Sequence, residues 1–119
     1  MLAYILTGDI NIDLAVQKEF AGTDIKLEAF DTPQQLEQAI KLNLPDALLI
    51  DPDKANEIIH KNKFKIPFIM ALIDEYEINE SVCDLYKSGC TDIKVKRQIR
   101  QIFRSVDAAL HCVGKITRA

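Results

Sequence analysis

An α/β domain built on a parallel sheet, with helices on both faces, is the fold class this sequence predicts. Short apolar runs alternate with segments of helical period, and the cycle repeats five times in 119 residues. The first, third and fourth runs are apolar on both sides, the pattern of strands buried in the middle of a parallel sheet. Strand and helix in alternation imply right-handed crossovers that lay the helices on the two faces. With 48% hydrophobic residues, the chain forms a single domain, residues 1–119, that buries roughly two thirds of its unfolded surface.

Leu2 to Leu6 reads as the first strand; after Thr7, Gly8 and Asp9 comes a helix with Ile12, Ala15, Val16 and Phe20 on its inner face. Ile25 to Phe30 alternates as a second strand. Thr32 then caps a second helix, with Pro33 at its first position, Gln35 to close a capping box, and Leu36, Ala39 and Ile40 as its inner stripe. Ala47 to Ile50 is the third strand, followed by a short third helix, Lys54 to His60, with Ala55, Ile58 and Ile59 turned inward. Ile66 to Ile73 makes the fourth strand, with Pro67 near its start, where a missing N–H is tolerated. Asp74 caps a fourth helix with Glu77 three residues on; Ile78, Val82 and Leu85 face inward and Gly89 terminates it. Ile93 to Val95 is a brief fifth strand. The last helix buries Ile99, Ile102, Phe103, Val106 and Leu110 and leaves Arg97, Arg100, Arg104 and His111 outside.

Composition excludes several classes. No stretch reaches the ~18 consecutive apolar residues of a membrane span, and Met1 to Ile10 has neither the basic start nor the apolar core of a secretory signal, so the chain reads as cytoplasmic. Cys83, Cys90 and Cys112 form no C-x-x-C pair and, with only His60 and His111 to assist, do not read as a zinc site; they read as small buried or half-buried thiols. Charge is uneven: residues 1–93 carry 8 basic and 17 acidic side chains, and residues 94–119 carry 7 basic and 1 acidic. A basic last helix on an acidic body attracts an acidic partner or forms a solvated face. Direct nucleic-acid binding has no helix-turn-helix to support it, and flavin binding has no phosphate-cradling loop.

The run Pro45-Asp46-Ala47-Leu48-Leu49-Ile50-Asp51 is the most informative stretch. It buries an apolar strand and ends it on a carboxylate, and the carboxyl ends of parallel strands are where ligands and reactive groups sit. Two further landmarks follow in order: Ile66-Pro67-Phe68-Ile69-Met70, and Gly89-Cys90-Thr91-Asp92-Ile93-Lys94-Val95-Lys96. Together, over nearly the whole chain, they resemble the receiver domain of bacterial two-component response regulators. The resemblance implies a flavodoxin-like five-stranded parallel sheet of order 2-1-3-4-5. It also implies Asp51 at the phosphoacceptor position, Lys96 as the lysine that contacts the phosphoryl group, and Mg²⁺ held by carboxylates, here Asp9 and Asp51.

The chain departs from the family pattern at several of its working positions. Where the family has two adjacent acids after the first strand, the register set by the first helix places Thr7 and Gly8. A one-residue slip brings Asp9 to the second acid but turns Asp13 and Gln17 toward the core. Leu72 replaces the usual hydroxyl residue, Ile93 the switch aromatic and Arg97 the proline after the lysine; Pro52 removes a donor beside Asp51; and the third connection is short.

The expectation is therefore a non-enzymatic, receiver-like signalling domain with a degenerate phosphorylation pocket, acting through protein contacts. Its contact face combines the fourth helix, fifth strand and last helix, where Glu75, Glu77 and Glu80 adjoin Lys94, Arg97, Arg100 and Arg104. Opposite charges on adjoining patches suit a homodimer, a histidine kinase or an output domain. Other readings stand beside this one. Asp51 is a working phosphoacceptor; Asp51 and Lys96 are simply a structural ion pair; or the chain is the amino-terminal module of a larger protein, such as a pilus-assembly localisation ATPase. Asp51 and Asp53 also spell the Asp-x-Asp of haloacid-dehalogenase-like phosphatases, but on the wrong strand of too short a chain.

Overall fold

The computed structural model describes residues 1–53, 58, 64–74 and 89–118, with the backbone alone for 112–118. Five strands, β1 (Leu2–Leu6), β2 (Lys26–Ala29), β3 (Ala47–Ile50), β4 (Phe68–Ile73) and β5 (Asp92–Val95), form one parallel sheet in the order β2-β1-β3-β4-β5. The described helices are α1 (Ile10–Phe20), α2 (Pro33–Leu42) and α3 (Ile99–Arg118). The expected third helix, Lys54 to His60, lies outside the described residues apart from Ile58, which is buried. So does the body of the expected fourth helix, including Glu75, Glu77, Glu80 and Cys83.

Strand alternation divides the core in two. Ala3, Ile5, Ala47, Leu49, Phe68, Met70 and Leu72 face α1 and α3, where Val16, Phe20, Ile102, Val106 and Leu110 cover them. Tyr4, Leu6, Leu48, Ile50, Ile69, Ala71 and Ile73 face the other way, onto Leu36 and Ile40 of α2 and onto Ile58. Every residue of β3 and β4 is buried, as the two-sided apolar runs require. Phe20 and Phe103 meet edge to face at 5.0 Å and tie α1 to α3. Tyr4 closes the opposite layer: its hydroxyl donates to the carbonyl of Asn43, the C-cap of α2, at 3.0 Å.

Strand ends differ from the sequence pattern by one or two residues, each for a local reason. Pro67 has no N–H to give, so β4 begins at Phe68, paired with Ala47. Ile25 spends its amide on the Thr23 hydroxyl, so β2 begins at Lys26. β5 begins one residue earlier than expected, at Asp92. The cap of α2 is also modified: Thr32 accepts from the Gln35 amide as expected, but the Gln35 side chain accepts from Asp31 instead of closing on Thr32. Cys90 is buried as expected, and burial pushes its thiol up to about 11, so it is inert packing at neutral pH.

One expectation about α1 is overturned. The sequence register turns Asp13 away from the core, yet Asp13 is 6% exposed, alongside Val16 and Phe20. Its carboxylate accepts a 2.7 Å hydrogen bond from the Thr7 hydroxyl, which supplies the polar partner that burial demands.

Candidate functional site

Chain reversal at the carboxyl edge of the sheet gathers the polar residues that follow each strand. Thr7 follows β1, Asp51 follows β3, Asp74 follows β4 and Lys96 lies just past β5. The ladders run on past the strand ends and fix these positions: the Asp51 amide donates to Leu6 O at 3.0 Å and the Lys96 amide to Ile73 O at 2.9 Å. Two strand spacings of ~4.8 Å separate β3 from β5, a gap that a lysine stem spans.

Lys96 spans it. Its Nζ lies 2.5 Å from Asp51 Oδ2 and 3.6 Å from Asp74 Oδ2. Asp51 is 4% exposed. Its other oxygen, Oδ1, accepts from the Asp53 amide at 2.9 Å. Pro52 and Asp53 are helical, so Asp51 acts as an N-cap with proline at the first helical position, the arrangement Thr32 and Pro33 form at α2. Pro52 therefore removes no donor that the turn would have used. Burial by itself lowers the Lys96 pKa, but the hydrogen bond and charge of Asp51, with Asp74, outweigh it and hold the ammonium above its ordinary value.

The residues after β1 are engaged among themselves. Gly8 has φ 76°, a left-handed turn that favours glycine over a side chain at this position. Thr7 is 1% exposed and bonds Asp13. Asp9 is exposed and caps α1, its Oδ1 accepting from the Asn11 amide at 2.9 Å. Burial pushes the Asp13 carboxyl above its ordinary value; the Thr7 hydrogen bonds oppose this in part, and the charges of Asp9 and Asp31 add to it. Among the described residues, no group of three His, Cys or acidic side chains converges on Asp9 or Asp51. The donor set after β1 is thus a hydroxyl, a glycine and a capping carboxylate, which does not make the oxygen-lined carboxylate pocket that Mg²⁺ takes. Asp51 and Asp74 remain the carboxylates on the site, with Lys96 as their cation.

No protein-family model and no curated protein matches the sequence. Solved structures do. NtrX from Brucella abortus superposes with a TM-score of 0.81 at 15% identity, over 98% of this chain and 27% of NtrX. The signal receiver domain of a LuxO repressor protein from Vibrio parahaemolyticus matches with a TM-score of 0.81 at 14% identity, over 99% of this chain and 97% of that one. A protein described as a response regulator from Chloroflexus aurantiacus matches at 0.76 and 18% identity, over 92% and 97%.

The fold is that of response-regulator receiver domains. Within the receiver fold, Asp51 and Lys96 meet across β4, as their strand-end positions imply, whereas Asp9 caps α1. Asp74 was read from sequence only as a cap; its place between Asp51 and Lys96 follows from the strand order, because β4 lies between β3 and β5. Leu72, at the hydroxyl position, is fully buried among the residues facing α1 and α3. Lys94 pairs with Asp92 on β5 at 3.5 Å, and Arg97, Arg100 and Arg104 are exposed. Glu75 lies outside the described residues.

Removing Lys96 leaves a buried carboxylate without its cation. Lys96→Met is expected to cost about 2–4 kcal/mol in urea denaturation. The double variant Asp51→Asn/Lys96→Met should recover a large part of that loss, whereas additive losses would show that the pair is not coupled. Asp13 has the opposite sign. A carboxyl raised on folding adds stability that is full below the ordinary aspartate value and lost as pH rises through the raised value. Asp13→Asn keeps an acceptor for Thr7, so at pH 7 it should leave stability unchanged or increase it, with the advantage fading near pH 4 in thermal melts.

Proposed function

We propose that this chain is a cytoplasmic receiver-type signalling module whose acceptor pocket is closed by its own lysine and which works through protein contacts. The observation that carries this reading is the setting of Asp51: the Asp53 amide bonds one oxygen, Lys96 bonds the other, and the buried Leu72 stands at the family's hydroxyl position. Phosphoryl transfer to a carboxylate needs a lone pair in line with the donor, which each Asp51 oxygen keeps, and groups that hold and neutralise the transferred oxygens. The turn after β1 supplies Thr7, the left-handed Gly8 and the helix-capping Asp9, and Leu72 offers no hydroxyl. A module with such a site communicates by what docks on it.

The partner surface in this reading lies on β5 and the start of α3. Arg97, Arg100 and Arg104 present positive charge there, beside the Lys94–Asp92 pair, on a body that is otherwise acidic. Such a surface suits an acidic face on a kinase, an output domain or a second copy of this chain, with encounter rates that fall as salt rises.

Backbone NMR with Mg²⁺ and then beryllofluoride, a stand-in for the aspartyl-phosphate group, tests the closed pocket. No saturable shift at millimolar ligand is expected. Saturable shifts centred on Asp9, Asp51 and Lys96 would restore the phosphoacceptor reading, with Asp51→Asn removing them. Light scattering tests the self-association form of the partner proposal. A dimer that dissociates above ~0.5 M salt, and on Arg100→Glu, is expected; a monomer at high concentration would leave only a different protein as partner.

A further inference from the structure

His111 sits one residue beyond Leu110, the last core residue of α3 among those whose side chains are described, and reaches across to the turn between α1 and β2. Its Nε2 lies 3.0 Å from Asp24 Oδ2. Its Nδ1 lies 2.8 Å from the carbonyl and 3.0 Å from Oδ1 of Asp107, one helical turn back. Every partner of the ring is thus an oxygen acceptor. A neutral imidazole would turn a lone pair toward one of them, whereas an imidazolium donates from both nitrogens. Geometry alone therefore selects the charged ring.

Among the described residues, the charges around it come from three elements. Asp107 belongs to α3, Asp24 to the α1–β2 turn, and the amino terminus before β1 donates to the Asp24 carbonyl at 3.1 Å. Lys26, at the start of β2, turns instead to Glu28 at 3.1 Å. No cation therefore faces the ring from β2, and Asp24 is the carboxylate through which α3 is held to the rest of the fold at this end.

We propose that Asp24, Asp107 and His111 form a pH-sensitive latch that holds the end of α3 to the α1–β2 turn while the ring carries both protons and releases it when one is lost. The helix runs on to Arg118, about two turns past His111, so the latch governs how far that end is anchored. The device does not use Asp51 and is independent of the reading of the acceptor pocket.

The direction of each titration agrees. Contacts with the Asp107 carbonyl and the Asp24 carboxylate raise the His111 pKa, and the hydrogen bond from His111 lowers that of Asp24. A histidine raised on folding contributes fully below its ordinary value of ~6.5, and the contribution is lost as pH rises through the raised value. An aspartate lowered on folding contributes above its ordinary value and loses that contribution as pH falls. The latch is closed between these limits and opens on the alkaline side as pH rises through the raised His111 value.

NMR titration of the imidazole resonances of the full chain tests this, with His111→Gln identifying the signal. His111 is expected to titrate above the ordinary histidine value of ~6.5, with the shift reduced by Asp24→Asn and by 1 M salt. Amide protection in the last turns of α3, corrected for intrinsic exchange, should fall several-fold from pH 5.5 to 8.5 and be low at both pH values in His111→Gln. Unchanged circular dichroism checks that the variants fold. Titration at or below ~6.5, or pH-independent protection, would overturn the latch. So would a shift abolished by Asp107→Asn but untouched by Asp24→Asn, since the contact would then lie within the helix alone.

Discussion

Asp51 is buried at the end of a strand with no other polar side chain, and an uncompensated carboxylate there would cost several kcal/mol. Much of the carboxyl edge is organised around removing that cost. The compensating cation must come from two strands away, because β4 contributes only apolar side chains to its strand span. Lysine after β5 has the reach, and the Lys96 amide bond to Ile73 holds its backbone in the position from which it reaches. Asp74 then takes the remaining charge of the ammonium. A shift of β5 by one residue would turn Lys96 to the opposite face and strand Asp51, so the ion pair also specifies register in a short edge strand.

On the reading proposed above, a pocket closed in this way would differ physically from a switch. A switch needs two states separated by a few kcal/mol and an input that binds one of them better. In this chain the cation is covalently part of the protein, and the charge of Asp51 and Asp74 holds its ammonium above the ordinary lysine value. Leu72 is packed in the core among the residues that face α1 and α3. Gly8 takes a left-handed turn and Thr7 bonds Asp13, so the end of β1 leads directly into the capped start of α1.

The architecture was legible because burial writes itself plainly into sequence. Two-sided apolar runs identified β3 and β4 as central strands, and the Thr32-Pro33 pair marked the start of α2. Asp51 and Lys96 were legible from their places at strand ends. What stayed hidden were polar contacts between segments distant in sequence. Asp13 looked solvent-facing because a carboxylate has no apolar signal, and its partner Thr7 lies on another element. Asp74 looked like a helix cap because only the order of strands puts it beside Lys96. Asp46 is a third case: its carboxylate accepts from the Leu2 amide at 2.9 Å while its amide donates to Leu2 O, which stitches β1 to β3 where the motif seemed only to introduce a strand. Pro52 was read as a loss of a donor, and it is instead the natural first residue of a turn capped by Asp51.

The placement of charge separates contacts that respond to conditions from contacts that do not. Buried pairs resist salt and pH because water does not reach them, whereas half-exposed ones are open to both. The Asp51 and Lys96 pair belongs to the first kind and holds the sheet edge in one state. The contacts of His111 belong to the second, with side chains roughly half exposed, and they anchor α3, the helix whose other end carries Arg100 and Arg104. One helix thus has a basic surface at its start and a titratable anchor toward its end, with an apolar seam of Ile102, Val106 and Leu110 between them.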